Sequence, residues 1–517
     1  MGRPKAVQKS FWGTLGKLLL SKTTIVILAL VAQAVLLIWL VIDLSQYAAY
    51  VYAGFLVLSA LVILCIVNRD DNPDFRLVWM VPVAALPVVG AVIYLFVRLQ
   101  LGTRLIRRRI AASDAAAAEV RPRDESAVAA VRALAGGADV TGYLEKRGFP
   151  AYINTDCTYY RLGDEMFPDI LRAVEGAREF IFLEYFILEE GEMWDALFAL
   201  LREKAAEGLD VRLMYDAVGS LSKAPPGYYK VIRAAGIRCK VFSPMSPILS
   251  THQNNRDHRK VCIVDGTVAF TGGINIADEY INAVTRKCGH WKDCGLRVTG
   301  EAVDSMTVSY LQMWNLTERR QEAFEPFLKK YFVPSGGFVV PYTDQPFDAY
   351  NVCRAVYLDI LNTARSYVYI MTPYLVIDSE LKSALVYAAQ RGVDVRIYTP
   401  GIPDKKMVYQ LTCSYFEPLI RSGVKIYTFT PGFLHAKTWL VDGRIAVVGS
   451  INLDYRSLYH HFECGTYLYA SPEVAKIEQD FQQTLAKCVR ADAELLKNDP
   501  FMRKLIGPGM RIIAPLL

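Results

Sequence analysis

Apolar and polar positions divide this chain into two stretches of different character, with the change near residue 100. Before it, three charge-free apolar runs follow one another, Ile25 to Ile42, Tyr47 to Val67 and Leu77 to Val97. Each is close to the ~20 residues that a membrane-spanning helix requires. The second run begins almost directly after the first and leaves no soluble start behind a cleavable leader, so residues 1–110 are expected to anchor the chain in a bilayer. Orientation is over-determined. Arg3, Lys5, Lys9, Lys17 and Lys22 precede the first run, Arg98, Arg104, Arg107, Arg108 and Arg109 follow the third, and both groups claim the cytoplasmic side. Three true spans cannot satisfy both. Pro82, Pro87 and Gly90 interrupt the third run, which is therefore expected to turn back as a re-entrant or half-inserted hairpin.

Beyond the anchor, residues 111–144 alternate charges and alanines with no strong apolar face, a pattern expected of a linker or solvated helix. The pattern then repeats. Phe180–Tyr185 and Tyr367–Met371 are short aromatic and β-branched runs that predict strands, and Trp194–Glu207 and Ser379–Arg391 show helical spacing ended by Gly208 and Gly392. A second strand follows in each case, GLDVRLMYD from Gly208 and GVDVRIYTP from Gly392. Strand, helix, strand, present twice, predicts an α/β fold of two related lobes, expected over residues 145–332 and 333–490 with a tail over 491–517.

Composition narrows the partners. With 53% hydrophobic and 21% charged residues the chain is not disordered, and its +6 formal charge suits nucleic acid, an anionic bilayer or a phosphate-bearing substrate alike. The ten cysteines are scattered without a C-x-x-C pair, and no Walker loop, G-x-G-x-x-G or H-E-x-x-H occurs, so no cofactor and no metal are expected.

The strongest signal is H-x-K-x4-D, found at His258, Lys260, Asp265 and again at His435, Lys437, Asp442. Agreement extends downstream, with glycine at +8 (Gly266, Gly443), glycine at +14 (Gly272, Gly449) and asparagine at +17 (Asn275, Asn452). These six motif residues are the candidate catalytic set. Lys260–Val264 and Lys437–Val441 read as strands entering Asp-Gly turns, and two pseudo-symmetric lobes would bring both histidines and both lysines to one phosphate. One histidine attacks phosphorus while the other protonates the leaving alkoxide, giving a phosphohistidine; the lysines, Asn275 and Asn452 hold the non-bridging oxygens. Asp265 and Asp442, each before a turn glycine, suit turn formation better than proton transfer. Each histidine needs a carboxylate on its second nitrogen, and Asp293 and Glu463 are the candidates. His252, His290, His460 and His461 lack such a frame and are expected to be structural, although His461 lies two before Glu463.

These residues resemble the phospholipase D superfamily and, within it, the bacterial cardiolipin synthases. The stretches RDHRKVCIVDGTVAFTGGINIADEY from Arg256 and PGFLHAKTWLVDGRIAVVGSINLDYRS from Pro431 carry the likeness, with Trp291-x-Asp293 between them. Asp257 and His461 stand where that family usually has asparagine. The resemblance implies two phospholipase D-like lobes behind transmembrane helices in the bacterial plasma membrane, multi-pass, with the lobes cytoplasmic. It implies phosphatidyl transfer between two phosphatidylglycerol molecules; His258 is favoured as nucleophile and His435 as acid and base, and the pseudo-symmetry of the two halves leaves the reverse assignment open. Phosphatidylglycerol and an anionic bilayer are then the partners, and nucleic acid is not; oligomeric state is left open. The motifs alone do not separate a lipid acceptor from water, as in a hydrolytic phospholipase D, and a catalytically dead membrane scaffold is the remaining alternative.

Overall fold

The computed structural model describes residues 22–42, 47–98, 101–135, 139–243, 255–316, 318, 321–348, 350–492, 507 and 509–516. His252 and the basic residues Arg3 to Lys17 lie outside the described residues. The chain forms two compact units, one within residues 1–104 and 245–254, the other taking up residues 105–244 and 255–515.

The first unit holds α1 (Lys22–Ile42), α2 (Ala48–Val67), α3 (Pro73–Ala85) and α4 (Pro87–Arg98). Among the described residues, only α2 has the length and apolarity to cross a membrane. Leu56, Leu61 and Leu64 lie exposed along it, a surface that lipid rather than water would solvate. The third apolar run is broken, as its prolines and glycine suggest, but at one point only. Pro82 is accommodated inside α3, whereas Pro87 starts a new helix at its first position. Having no N–H, Pro87 leaves the carbonyl of Val83 without its helical partner. The Ser59 hydroxyl of α2 fills that place, 3.2 Å from Val83 O and 3.1 Å from Pro87 O. Gly90 lets α4 fold back on α3, since a Cβ there would sit 2.4 Å from Pro82 O. At 1.5 Å per residue α3 and α4 are each about 20 Å long or less, short of a ~30 Å hydrocarbon core.

α5 (Leu101–Val120), of which all but the first four residues belong to the second unit, α6 (Glu125–Ala135) and α7 (Val140–Lys146) precede the sheets. Residues 111–144 are largely helical and mostly exposed or half-buried, with a few side chains drawn inward. Ile110 and Ala117 of α5 enter the main core, and Arg121 just beyond it is buried, donating to Gly148 O (3.1 Å), Ser309 Oγ (3.0 Å) and Gln312 Oε1 (2.7 Å). Burial lowers the Arg121 pKa to about 10.

The first half contributes β1 (Thr155–Tyr160), β2 (Phe180–Tyr185), β3 (Asp210–Asp216), β4 (Arg238–Phe242), β5 (Lys260–Val264), β6 (Val268–Gly272), β7 (His290–Lys292) and β8 (Gly295–Gly300). The second contributes β9 (Phe338–Asp344), β10 (Tyr367–Met371), β11 (Leu375–Val376), β12 (Asp394–Pro400), β13 (Lys425–Phe429), β14 (Gly432–Leu434), β15 (Thr438–Val441), β16 (Ile445–Gly449), β17 (Leu453–Asp454), β18 (Glu463–Tyr469) and β19 (Cys488–Arg490). The sheet orders are β1-β8-β6-β5-β2-β3-β4 and β9-β18-β16-β15-β10-β12-β13, with β19 added at the far edge of the second. Strand directions agree at every step, parallel between β2, β3 and β4 as between β10, β12 and β13, and antiparallel elsewhere. The predicted α/β fold of two pseudo-symmetric lobes, each a mixed sheet with flanking helices, is what forms.

Phe182, Val261 and Leu296 from one sheet and Leu440, Val448 and Leu468 from the other share a single core. Helical residues such as Trp194, Leu197 and Leu201 cover the outer face of the first sheet. One buried face per side explains why β2 and β5 read as continuous apolar runs rather than alternating ones.

Candidate active site

Both motifs lie on the central hairpin of their sheet, β5–β6 or β15–β16. The turns need positive φ at two successive residues, and Asp-Gly meets this with φ of 51° and 64° at Asp265–Gly266 and 50° and 63° at Asp442–Gly443. The aspartates then brace the hairpins. Asp265 accepts from the backbone N–H groups of Arg178, Glu179 and Phe180 at 2.8–2.9 Å, and Asp442 from those of Arg365, Ser366 and Tyr367 at 2.7–2.8 Å. Every carboxylate oxygen is occupied at the foot of the neighbouring strand, so these two residues brace the far end of the strand that leads from the motif histidine and lysine.

The histidines are oriented from across the molecule. His258 N–H donates to Phe462 O (2.9 Å) and Phe462 N–H to Arg256 O (2.8 Å), tying the first motif to the segment before Glu463. The second motif follows β14, which runs parallel to β7 of the first half, and His435 N–H donates to Lys292 O (2.7 Å), directly before Asp293. As a result His258 Nδ1 lies 2.9 and 3.1 Å from the two oxygens of Glu463, and His435 Nδ1 lies 2.5 Å from Asp293 Oδ2. Each half supplies the carboxylate for the other half's histidine. The +14 glycines make this possible: a Cβ at Gly272 would stand 2.4 Å from Cys294 O and one at Gly449 2.3 Å from Cys464 O, the residues just after the two carboxylates. Gly273 leaves room for Asp293 itself, while its counterpart Ser450 donates to Glu463.

Lys260 and Lys437 are almost wholly buried, and each ammonium donates to the carbonyl of its own motif histidine. Lys437 Nζ also stands 2.8 Å from His435 Nδ1. Phe186 packs against His258, and Trp291, Tyr280 and Phe433 surround His435 with ring centroids 5.3–5.7 Å away. Asn275 is engaged at both ends, accepting from Ile187 N–H (3.0 Å) and donating to the Tyr280 hydroxyl (2.7 Å). The Asn452 amide oxygen is buried without a hydrogen-bond partner among the described residues. Asp257 is buried and accepts from the Arg259 backbone N–H at 3.3 Å.

Burial and the lysines set the charge state. Burial, then Lys260 and Lys437, push the His258 pKa well below the usual imidazole value, and burial with Lys437 takes His435 to about 4 against the opposing pull of Asp293. Burial also lowers Lys260 to about 7 and Lys437 to about 8. Near pH 7 both imidazoles are neutral, with Nδ1–H held by a carboxylate and Nε2 left as a lone pair. An entering phosphodiester anion favours every protonated form, so binding takes up protons and weakens as pH rises through the lysine pKa values. Affinity for tungstate, a phosphate mimic, is expected to fall by up to about tenfold per pH unit per proton between pH 6.5 and 8.5. Calorimetry in two buffers of different ionisation enthalpy would register the uptake; none would refute this charge balance.

Of the remaining histidines, His290 lies on β7 and His460 Nε2 is 3.3 Å from Pro515 O. His461 is buried within the site. A π-helical turn, Arg456–His460, closed by His461 N–H to Arg456 O at 2.8 Å, carries its ring to 5.4 Å from that of His258. Its position two before Glu463 was the available signal. The aromatic walls around the two histidines had none beyond Trp291.

Two related lobes that each lend a histidine, a lysine and a carboxylate to one buried site define an enzyme of the phospholipase D type. Residues 170–285 and 357–485 match the family described as "Cardiolipin synthase, PLD-like domain", and residues 56–98 match "Phospholipase_D-nuclease N-terminal". A cardiolipin synthase of Alkalihalophilus pseudofirmus is 32% identical over 87% of this chain and 90% of its own length. An uncharacterized protein of Streptococcus mutans is 44% identical over 88% of this chain and 99% of its own. The crystal structure of phosphatidylserine synthase from Haemophilus influenzae matches with a TM-score of 0.56 at 16% identity, covering 73% of this chain and 100% of that one, a likeness of fold. The chain belongs to the cardiolipin synthase family of phospholipase D-type phosphatidyltransferases.

Proposed function

We propose that the enzyme joins two phosphatidylglycerol molecules into cardiolipin and releases glycerol. The observation that carries the reading is the crossed pairing of two neutral histidines with two buried carboxylates, which leaves both Nε2 atoms available for phosphorus chemistry. His258 Nε2 attacks the donor phosphorus, the bond from phosphorus to the glycerol headgroup breaks, and His435, protonated as the anion binds, gives its proton to the departing glycerol oxygen. The terminal hydroxyl of a second phosphatidylglycerol then attacks the phosphohistidine while His435 takes its proton back, and His258 leaves neutral. Burial and the two lysines depress both histidines, and each keeps a carboxylate on Nδ1, so the assignment of roles is tested by locating the phosphohistidine. Lys260 and Lys437 stabilise the charge on the phosphoryl oxygens. Exchange of one phosphodiester for another needs no nucleotide. Purified enzyme with phosphatidylglycerol alone should give cardiolipin and glycerol in equal amounts; phosphatidic acid without cardiolipin would make it a hydrolase instead.

The same reading makes the chain a multi-pass protein of the bacterial plasma membrane with its lobes in the cytoplasm. The α3–α4 hairpin, whose two helices are each too short to span, supports a re-entrant third run. The exposed Arg107, Arg108 and Arg109 would meet anionic headgroups, each contributing about 1 kcal/mol near the surface. A tag at Gly102 is expected to be reached only by protease from the cytoplasmic side, and cleavage from outside would rule out the hairpin.

A further inference from the structure

We propose that His258, His461 and Glu463 form a buried site for a divalent transition metal of the zinc class, and that metal bound there switches the enzyme off. One ligand atom from each residue lies within 4.8 Å of the other two, and all three side chains are buried. His461 is the unusual member. It is 7% exposed, and neither ring nitrogen has a hydrogen-bond partner among the described residues. Its Nδ1 points at Glu463 Oε1 from 3.7 Å, the same oxygen that His258 Nδ1 approaches at 2.9 Å. Ser450 donates to the other oxygen, so Oε1 faces both imidazoles. Tetrahedral zinc with bonds of about 2.0–2.1 Å separates its ligand atoms by about 3.3 Å, between the two spacings to Glu463, so binding requires the two imidazoles, whose nitrogens lie within 4.8 Å of each other, to close toward that distance. Two imidazoles and one carboxylate suit zinc and its neighbours, whereas calcium and magnesium prefer all-oxygen sites. Water completes the shell.

The site belongs to one half only. The residue two before Asp293 in the other half is Trp291, an aromatic wall rather than a ligand. The consequence for chemistry rests on the reading of His258 as nucleophile. Metal on Nδ1 moves the imidazole proton to Nε2, the nitrogen that must attack phosphorus, and the lone pair needed for the first step is gone.

Binding and inhibition are read separately. Full-length enzyme in detergent, stripped by chelator, is titrated with Co²⁺ and then with Zn²⁺. The expected result is visible tetrahedral absorption at one equivalent of Co²⁺, lost in His461→Asn and in His258→Ala and kept in His290→Asn, a control away from the site. Zinc should inhibit the wild type reversibly, with at least about tenfold more needed to inhibit His461→Asn. No absorption from folded wild type, or absorption that survives His461→Asn, overturns the site. Absorption with turnover undiminished overturns the inhibition and counts against His258 as nucleophile. A metal-free enzyme that fails to make cardiolipin overturns the proposed reaction and leaves the metal site standing.

Discussion

His258→Ala and His435→Ala should each lose turnover by on the order of 10⁴-fold or more, as expected when members of one catalytic unit are removed singly. The two losses differ in kind. With a phosphodiester whose leaving group needs no acid, His435→Ala should still form the covalent intermediate and stall there, because no base remains to activate the acceptor. His258→Ala should form none. Mass spectrometry under conditions that preserve acid-labile phosphohistidine would locate the group. Label on His435 in the His258→Ala protein would reverse the roles, and near-normal turnover by either variant would remove the two-histidine mechanism.

Asp293→Asn and Glu463→Gln should come next in size, each losing about 10³- to 10⁴-fold by presenting the wrong tautomer while leaving the shape of the site intact. Crossing of the pairs determines which step suffers. Asp293 serves His435, so Asp293→Asn should slow transfer to the acceptor and let intermediate accumulate with an activated donor. Glu463 serves His258, so Glu463→Gln should slow formation of the intermediate. Both carboxylates are fully buried, so melting temperatures of the amide variants should be compared first to separate chemistry from folding. If intermediate accumulated in Glu463→Gln and not in Asp293→Asn, the crossed pairing or the assignment of roles would be wrong, and the histidine that carries the phosphoryl group would tell which.

Much of the architecture was legible because local patterning dictates it. Phe180–Tyr185, Tyr367–Met371 and Lys260–Val264 fold as strands over the very residues their apolar runs predict. Gly208 and Gly392 sit at φ of 94° and 99° past the ends of the predicted helices, as left-handed helix stops should. The Asp-Gly turns follow from the same conformational rule, and the even spacing of glycines after both motifs has its reason in the close approach of the next strand. The inward contacts of the segment after the anchor were not legible, because Arg121 finds its partners at residues 148, 309 and 312, which periodicity over 20 residues does not contain.

Sequence alone thus determined the apolar runs, the duplicated α/β lobes, the paired H-x-K-x4-D motifs and Asp293 and Glu463 as candidate partners for the histidines. Tertiary structure decided the pairing. Asp293 lies 142 residues from His435 and Glu463 lies 205 residues from His258, and each joins the histidine of the opposite half. Short-range patterning carries no information on such contacts; they arise when two sheets bury a common core and bring β7 beside β14 and Asp257 beside Phe462. The same packing turned His461 inward on a π-helical turn, and the single hydroxyl of Ser59, facing the carbonyl that Pro87 leaves free, marks where the third apolar run breaks.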